Sequence, residues 1–142
     1  MTTVEKRIIT VRTSVNEPVE VVWKHWTLPE SITGWNNASS DWHTPRASND
    51  LRKGGKFSSR MEARDGSIGF DFEGIYDNVI ENRQIDYTLG DGRKVKITFA
   101  PNGKATDIVE TFEAENTNPF EVQQSGWQNI LDNFKKFAES HK

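Results

Sequence analysis

The chain has 142 residues, of which 34% are hydrophobic and 11% aromatic. This length predicts a single domain over residues 1–142 with a sizeable core, and the aromatic content excludes an intrinsically disordered chain. Its 18 basic and 21 acidic residues give a net charge of −3. An acidic balance offers no general attraction to nucleic acid or to an anionic membrane, so neither is expected as a partner.

The residue types that are missing narrow the chemistry further. The sequence has no cysteine, which excludes disulfides, thiol nucleophiles and cysteine-based metal sites. No two of its histidines have i, i+4 spacing, so neither a metal nor a cofactor is predicted. No stretch approaches the roughly 20 apolar residues of a membrane span, and the N-terminus lacks the apolar core of a secretion signal. We therefore expect a cytoplasmic protein without membrane insertion.

The N-terminal quarter of the chain predicts one strand and two short helices. Residues 5–15 alternate between apolar and polar positions, which is typical of a strand. Asn16 then offers a helix N-cap, and Pro18 suits an early helical position. An apolar stripe with helical spacing follows, formed by Val19, Val22, Trp23 and Trp26. Pro29 is predicted to begin a second short helix, which carries Trp35.

The middle of the chain predicts an antiparallel meander. Residues 36–50 are mostly polar and predict a loop, in which Trp42 and His43 begin a short strand. Gly54 and Gly55 indicate a bulge or turn, because a phosphate loop would precede a helix and not a strand. Strand patterns then follow at residues 56–64, 68–80, 83–89, 93–100 and 104–115. The connections between them are too short for crossover helices, so these strands are antiparallel neighbours.

The last predicted element is a helix of about 20 residues that spans roughly 30 Å. Asn118 as N-cap, Pro119 at the first helical position and Glu121 at the third form its start. Its wide apolar face consists of Trp127, Ile130, Leu131, Phe134, Phe137 and Ala138. The sheet must curl around this helix to bury both apolar surfaces, and such a fit leaves a gap between them. These elements predict the α+β class.

Several segments, taken in order, carry a resemblance to a known family. They are residues 18–23 (PVEVVW), 26–30 (WTLPE), 50–57 (DLRKGGKF), 72–76 (FEGIY) and 126–134 (GWQNILDNF), together with Trp35. The chain resembles the bacterial proteins related to the C-terminal domain of the activator of Hsp90 ATPase, a branch of the START-like (SRPBCC) group. The resemblance implies a helix-grip fold, in which a curved antiparallel sheet of six or seven strands surrounds a long C-terminal helix in the order β-α-α-β6-α, with an internal cavity. It implies no single activity, because the group includes lipid carriers, cyclases and co-chaperones.

The strand phases and helical stripes direct a set of bulky side chains towards the predicted cavity. The ligand-binding candidates are Trp35, Trp42, Phe57, Met61, Phe70, Phe72, Tyr76, Tyr87, Glu110 and Trp127. Ile68 shares the phase of Phe70 and is expected to face inward with it. Two interpretations of the apolar candidates are open. They form either the wall of a ligand pocket of roughly 300–1,000 Å³ or an ordinary core, which needs the same residue types.

Glu110 is the most informative of these candidates. It stands between Ile108 and Phe112 in a pattern of period two, so it faces inward if they do. Burying a lone carboxylate is costly unless it is paired, hydrated or protonated, which makes Glu110 a candidate for orienting a ligand or for acid–base chemistry. In the opposite phase Val109 and Thr111 would be inside, and at a sheet edge Glu110 would remain in water.

Other polar positions near the predicted cavity give weaker signals. Gly126 within a helix costs roughly 1 kcal/mol relative to alanine, which indicates close packing or room for a ligand. Gln123 and Gln124 lie one turn earlier, where they either present amides at the cavity mouth or face solvent. His43, beside Trp42, is the histidine that merits testing as a base.

Three functions are compatible with these patterns. The first is a binding module for a small apolar or amphipathic molecule, which the lack of a recognisable catalytic set favours. The second is a co-chaperone-like interaction with a protein such as an Hsp90-type chaperone, which only the resemblance indicates. The third is an enzyme of the cyclase or dehydratase type, with Glu110 or His43 as general base.

Overall fold

The computed structural model describes residues 7–141. In chain order they form β1 (Ile8–Val15), α1 (Val19–Thr27), α2 (Pro29–Trp35), β2 (Trp42–Asn49), β3 (Lys56–Ala63), β4 (Gly69–Ile80), β5 (Gln84–Leu89), β6 (Lys94–Asn102), β7 (Ala105–Glu113) and α3 (Phe120–Ser140). This confirms the order β-α-α-β6-α. Residues 5 and 6 of the first predicted strand lie outside the described residues. Within residues 7–141, no helix is both long and apolar enough to cross a membrane.

The strands form one antiparallel sheet in the order β1-β7-β6-β5-β4-β3-β2. Strands β2 to β7 are a meander, as their short connections require. Strand β1 closes the other side by pairing with β7, from Ile8 opposite Glu113 to Val15 opposite Thr106. The sheet curls into a half-barrel around α3, which confirms the α+β class and the helix-grip architecture.

The two halves of α3 have different surroundings. In the C-terminal half, Leu131, Phe134 and Ala138 are fully buried. The Phe134 ring packs edge-on against Trp26 of α1 and Trp35 of α2, with ring centroids 4.8 and 5.0 Å apart. The apolar side chains of the N-terminal half, such as Trp127 and Ile130, are only partly buried. The short helices therefore fill the curl of the sheet around one end of α3 and leave space around the other.

Helices α1 and α3 begin later than their predicted caps. The N-cap positions are occupied by Pro18 and Pro119, neither of which offers a side-chain hydrogen bond. Prolines suit these positions because their fixed φ matches the extended backbone just before a helix. The prediction that Asn16 and Asn118 are caps was wrong, and the Asn118 side chain bonds the Glu115 carboxylate instead.

The polar stretch that predicted a loop instead forms β2, a strand at the edge of the sheet. Trp42 begins it as expected, but it runs on to Asn49, which lies opposite Phe57 of β3. The register shifts between His43 and Arg46, where Pro45 lies. Edge strands tolerate proline and polar side chains because one of their sides has no partner strand. This edge position explains why the composition of β2 resembles that of a loop.

Gly54 and Gly55 form the predicted turn, between β2 and β3. Gly54 has a φ of 82°, a conformation that favours glycine. Its N–H donates to the Tyr76 carbonyl over 2.8 Å, and the Tyr76 N–H donates to the Gly55 carbonyl over 2.9 Å. The turn is thereby fastened to β4 at the residue whose side chain enters the cavity wall.

Candidate functional site

A cavity of about 410 Å³ lies between the curled sheet and the N-terminal half of α3. Two of its lining residues, Phe70 on β4 and Val122 on α3, are 47% and 57% exposed. The cavity therefore opens to solvent between β4 and the start of α3. Its volume lies within the range of natural sites for small organic molecules. The predicted gap between sheet and helix is present.

All ten ligand-binding candidates lie in the wall of this cavity. Helix α2 contributes Trp35 and α3 contributes Trp127, while the strands contribute Trp42 (β2), Phe57 and Met61 (β3), Phe70, Phe72 and Tyr76 (β4), Tyr87 (β5) and Glu110 (β7). Phe57, Met61, Tyr76 and Tyr87 are buried, whereas Phe70 is half-exposed at the mouth. Ile68 does not follow this phase. It precedes β4 and is 61% exposed, so the prediction that it faces inward was wrong.

The wall also contains side chains that the sequence did not single out as ligand-binding candidates. Trp26 and Ile130 carried a signal, since both lie on predicted helical stripes, but that signal does not distinguish a cavity wall from a core. No sequence signal pointed to Asn49, because it lies in the stretch that predicted a loop. Arg93 begins the predicted strand 93–100 in the same phase as the inward Val95, so the pattern carried a signal for it that was not used.

Glu110 lies on the inner face of β7 and is only 6% exposed. Its cross-strand neighbours are Val11 on β1 and Ile97 on β6, both apolar and buried. No residue among 7–141 donates a hydrogen bond to its carboxyl group or forms an ion pair with it. Burial raises the pKa of Glu110 to about 8, because removal from water disfavours the charged form. The inward phase predicted for Glu110 is the one observed.

Trp127 packs against the strand that carries this carboxyl. Its indole stacks on Phe112 with ring centroids 3.8 Å apart, and Phe112 is the next inward residue after Glu110 on β7. The indole also meets the edge of Phe72 at 6.0 Å. These contacts fix an aromatic ring against the strand that carries the acid.

Two tyrosines reach the cavity with different bonding. The Tyr76 hydroxyl donates to Asn49 Oδ1 over 2.5 Å, and the Asn49 amide donates to the Thr27 carbonyl over 2.7 Å. This chain joins β4, β2 and the end of α1. The Tyr87 hydroxyl forms no hydrogen bond within residues 7–141. Burial and the nearby charge of Glu110 raise the pKa of Tyr87 well above its usual value, which places the two groups within electrostatic range of each other.

Other polar groups in the wall are already engaged. Arg93 donates to Asp91 Oδ2 over 2.7 Å. The Gln123 amide accepts from the Glu115 N–H over 2.9 Å and donates to the Asn118 carbonyl over 2.8 Å. Gln123 thus holds the segment that leads into α3. It does not present a free amide at the mouth, as one interpretation of the sequence suggested.

The remaining sequence candidates contribute little to the cavity. His43 points away from it towards Glu62, with 3.9 Å between Nε2 and Oε1, and no histidine lines the cavity among the described residues. Gln124 is exposed and donates weakly to the Thr10 carbonyl over 3.4 Å. Gly126 lines the cavity, and a Cβ added there would meet no atom within 4 Å. Close packing therefore does not account for this glycine, since the space around it is open.

The chemistry of the site follows from this inventory. Most of the lining is apolar or aromatic. Of its buried polar side chains, Tyr76 and Gln123 are hydrogen-bonded to protein groups, whereas those of Ser59, Tyr87 and Glu110 have no partner within residues 7–141. Across residues 7–141, no three histidine, aspartate or glutamate side chains cluster closely enough to hold a metal ion. Of the acid–base candidates of the enzyme hypothesis, only Glu110 reaches the cavity. The arrangement suits holding an apolar body and orienting one polar group.

A curled antiparallel sheet that encloses a cavity against a long C-terminal helix defines the START-like helix-grip class. Residues 16–139 match the family model described as "Activator of Hsp90 ATPase homolog 1-like protein". The chain belongs to that family, which confirms the resemblance.

Solved structures agree with this assignment. An AHSA1-like protein from Aeromonas hydrophila, solved in solution, is 42% identical with a TM-score of 0.89, over 94% of this chain and 93% of that one. A protein from Cytophaga hutchinsonii is 53% identical with a TM-score of 0.81, over 93% and 92% of the two chains. A protein from Chromobacterium violaceum, at 21% identity and a TM-score of 0.84 over 94% and 98%, shares the fold. No curated protein matches the chain in sequence.

Proposed function

We propose that this protein binds a small apolar or amphipathic molecule in the cavity between the sheet and α3. One observation carries the proposal: a void of about 410 Å³ is lined by aromatic side chains and contains a buried carboxyl group without a protein partner. The ten candidate residues supply the contact surface, and Glu110 orients the polar part of the molecule.

The packing of the fold supports the proposal that the cavity holds a ligand. Protein interiors are close-packed, and voids larger than a water molecule are few because each one forfeits dispersion contacts and stability. The carboxyl group of Glu110 has no hydrogen-bond partner among residues 7–141, and the hydration that it loses in the cavity adds a further cost. A ligand that fills the void and bonds Glu110 offsets both costs at once.

The proposal is tested by native mass spectrometry of the protein purified from its own host, together with titration of a neutral apolar dye such as Nile red. We expect a bound small molecule in the first experiment. We also expect a saturable fluorescence increase in the second, which the extracted molecule reverses. A protein that carries no molecule and gives no saturable dye binding contradicts the proposal.

The family assignment favours a second candidate, a co-chaperone-like interaction with an Hsp90-type ATPase. This function would use an exposed surface and would need no free cavity. It predicts that the purified protein changes the ATPase rate of the chaperone from the same organism. An unchanged rate at saturating protein rules it out. A cytoplasmic location stays a prediction for either candidate.

A further inference from the structure

We infer that the molecule held in this cavity is an organic ammonium cation: an apolar body that carries a protonated amine, with Glu110 as its counter-ion. This inference rests on the proposed ligand-binding function and narrows it to one chemical class. It follows from the sign of charge, the hydrogen-bonding capacity and the ring content of the cavity wall.

The buried side chains of the wall that have no protein partner can all accept hydrogen bonds. Among the buried polar side chains that line the cavity, Tyr76 and Gln123 are bonded to protein groups. The side chains of Glu110, Tyr87 and Ser59 form no hydrogen bond within residues 7–141. Once ionised, Glu110 only accepts, and the two hydroxyl groups accept as well as donate. An ammonium group brings three donors and no acceptor, so it matches this set.

The charges of the wall select against an anion. Glu110 is buried between the apolar neighbours Val11 and Ile97. Arg93 is the cationic residue of the described wall, and it is paired with Asp91. Once ionised, Glu110 repels an anionic ligand, and the one cation of the described wall already has an acidic partner, whereas a cationic ligand supplies the counter-charge that Glu110 lacks.

The rings of the wall favour a cation as well. Nine aromatic residues line the cavity, and Trp127 among them is fixed against β7, the strand of Glu110, by its stack on Phe112. The faces of aromatic rings attract ammonium groups, most strongly for tryptophan and when the group is removed from water. Rings around a single carboxylate thus compensate for the lost hydration of an amine, and they also bury its apolar body.

Binding of this kind is coupled to a proton. The other ionisable residues that share the cavity wall with Glu110 are Tyr76 on β4, Tyr87 on β5, Arg93 before β6 and Glu115 after β7; the lining residues of α3 are not ionisable. Because burial raises the pKa of Glu110 to about 8, the free protein holds its proton at neutral pH. A cationic ligand must displace that proton, whereas a neutral hydrogen-bond acceptor would need it to stay.

The test uses three probes with one skeleton and different charges: phenylbutylamine, phenylbutanol and phenylbutanoate. Each is titrated calorimetrically between about pH 6 and about pH 9, where the amine stays protonated. At the upper end the amine should bind at least about tenfold more tightly than the alcohol, and the carboxylate should bind most weakly. The affinity for the amine should rise roughly 50- to 100-fold across this range, following the ionised fraction of Glu110.

Two further readouts make the assignment specific. Titrations in buffers of different ionisation enthalpy should show close to one proton released per amine bound near about pH 6, falling towards none near about pH 9. Glu110→Gln should remove the advantage of the amine over the alcohol. The control Glu81→Gln changes an exposed residue in the turn before β5 and should behave like the native chain.

The outcomes separate the two proposals. If the alcohol binds as tightly as the amine near about pH 9, or if the preference for the amine survives Glu110→Gln, the ammonium assignment is wrong while the cavity remains a ligand site. If no probe binds and Nile red does not enter, both proposals fail. Should Glu110→Gln not fold, the pH profile and proton release of the native chain decide the question.

Discussion

At the scale of single residues, the burial of Glu110 should make stability depend on pH. Its pKa is raised from 4.5 to about 8 in the folded state, so between these values the folded chain keeps a proton that the unfolded chain has lost. The free energy of unfolding therefore falls as pH rises through this window and levels off above about pH 8.

Glu110→Gln is neutral at every pH and should remove this dependence. We expect the variant to equal the native chain near about pH 5 and to exceed it by a few kcal/mol near about pH 9. Urea unfolding followed across this range measures the difference. The free energy of unfolding of Glu81→Gln, a change at an exposed position, should depend on pH as that of the native chain does. The same pH dependence for Glu110→Gln would contradict a buried, protonated Glu110.

The two cavity tyrosines should respond differently to loss of the hydroxyl group. Tyr76→Phe removes the 2.5 Å bond to Asn49 Oδ1 and leaves that acceptor unpaired, which should cost about 1–3 kcal/mol. Tyr87→Phe removes a hydroxyl that has no bond within residues 7–141, so it should be neutral or slightly stabilising. Thermal unfolding of both variants under one condition gives the comparison, and an equal loss in the two would refute the bonding described for Tyr76.

At the scale of elements, the two glycines of the β2–β3 turn are required for different reasons: Gly55 for lack of space and Gly54 for its backbone conformation. A Cβ on Gly55 would lie 2.0 Å from the Asp50 carbonyl oxygen, which is backbone and cannot turn aside. A Cβ on Gly54 would meet nothing, although its φ of 82° is strained for other residues. Gly54→Ala should therefore cost about 1–2 kcal/mol, and Gly55→Ala clearly more. Urea denaturation of the pair tests the order, and the reverse order would show that the turn relaxes.

Periodicity predicted the elements that bury one face and failed where no face is buried. Strands β3 to β7 agree with their predicted ranges to within two residues, because most of their residues alternate between an inner face and solvent. The start of β2 at Trp42 was predicted, but its extent to Asn49 was missed, since an edge strand needs little apolar pattern. Trp42 and Asn49 contribute to the wall through the pairing of β2 with β3. The helix starts shifted because Pro18 and Pro119 set the backbone without a capping side chain.

The inward phase of Glu110 was predictable, but its isolation was not. Ile108 and Phe112 on the same face of the strand indicate its direction from the sequence alone. Its lack of a partner depends on Val11 and Ile97 lying opposite it, which is a matter of sheet register between distant segments. The engagement of Gln123 with the segment before α3 depends on tertiary contact in the same way.

At the scale of the whole molecule, the sequence predicts that a curled sheet surrounds α3, but it cannot give the size of the remaining space. That size depends on how far α1 and α2 reach along α3. The rings of Trp26 and Trp35 close around Phe134, and the space beyond them is the cavity. The cavity thus exists because the short helices α1 and α2 pack along only part of the longer α3.

Gly126 gives a way to close this space without disturbing the outer surface. It lines the cavity from α3, and a Cβ there meets no atom within 4 Å. Gly126→Leu should keep or raise stability, because leucine is favoured over glycine in a helix by roughly 1 kcal/mol and its side chain fills empty apolar space. It should also weaken binding of Nile red and phenylbutanol by about tenfold or more, since their volume is then occupied. Gly126→Ala, which adds one carbon, is the matched control and should bind both probes nearly as the native chain does.

The same variant separates the two candidate functions. A chaperone partner would contact the exterior, so Gly126→Leu should leave any effect on a chaperone ATPase intact while it abolishes ligand binding. Fluorescence titration, thermal unfolding and the ATPase assay, run on one preparation, give the three readouts. Undiminished dye binding in a folded Gly126→Leu protein would show that the dye binds elsewhere and that the cavity is not its binding site. Joint loss of ligand binding and ATPase stimulation would instead mean that the occupied cavity controls the surface a partner recognises.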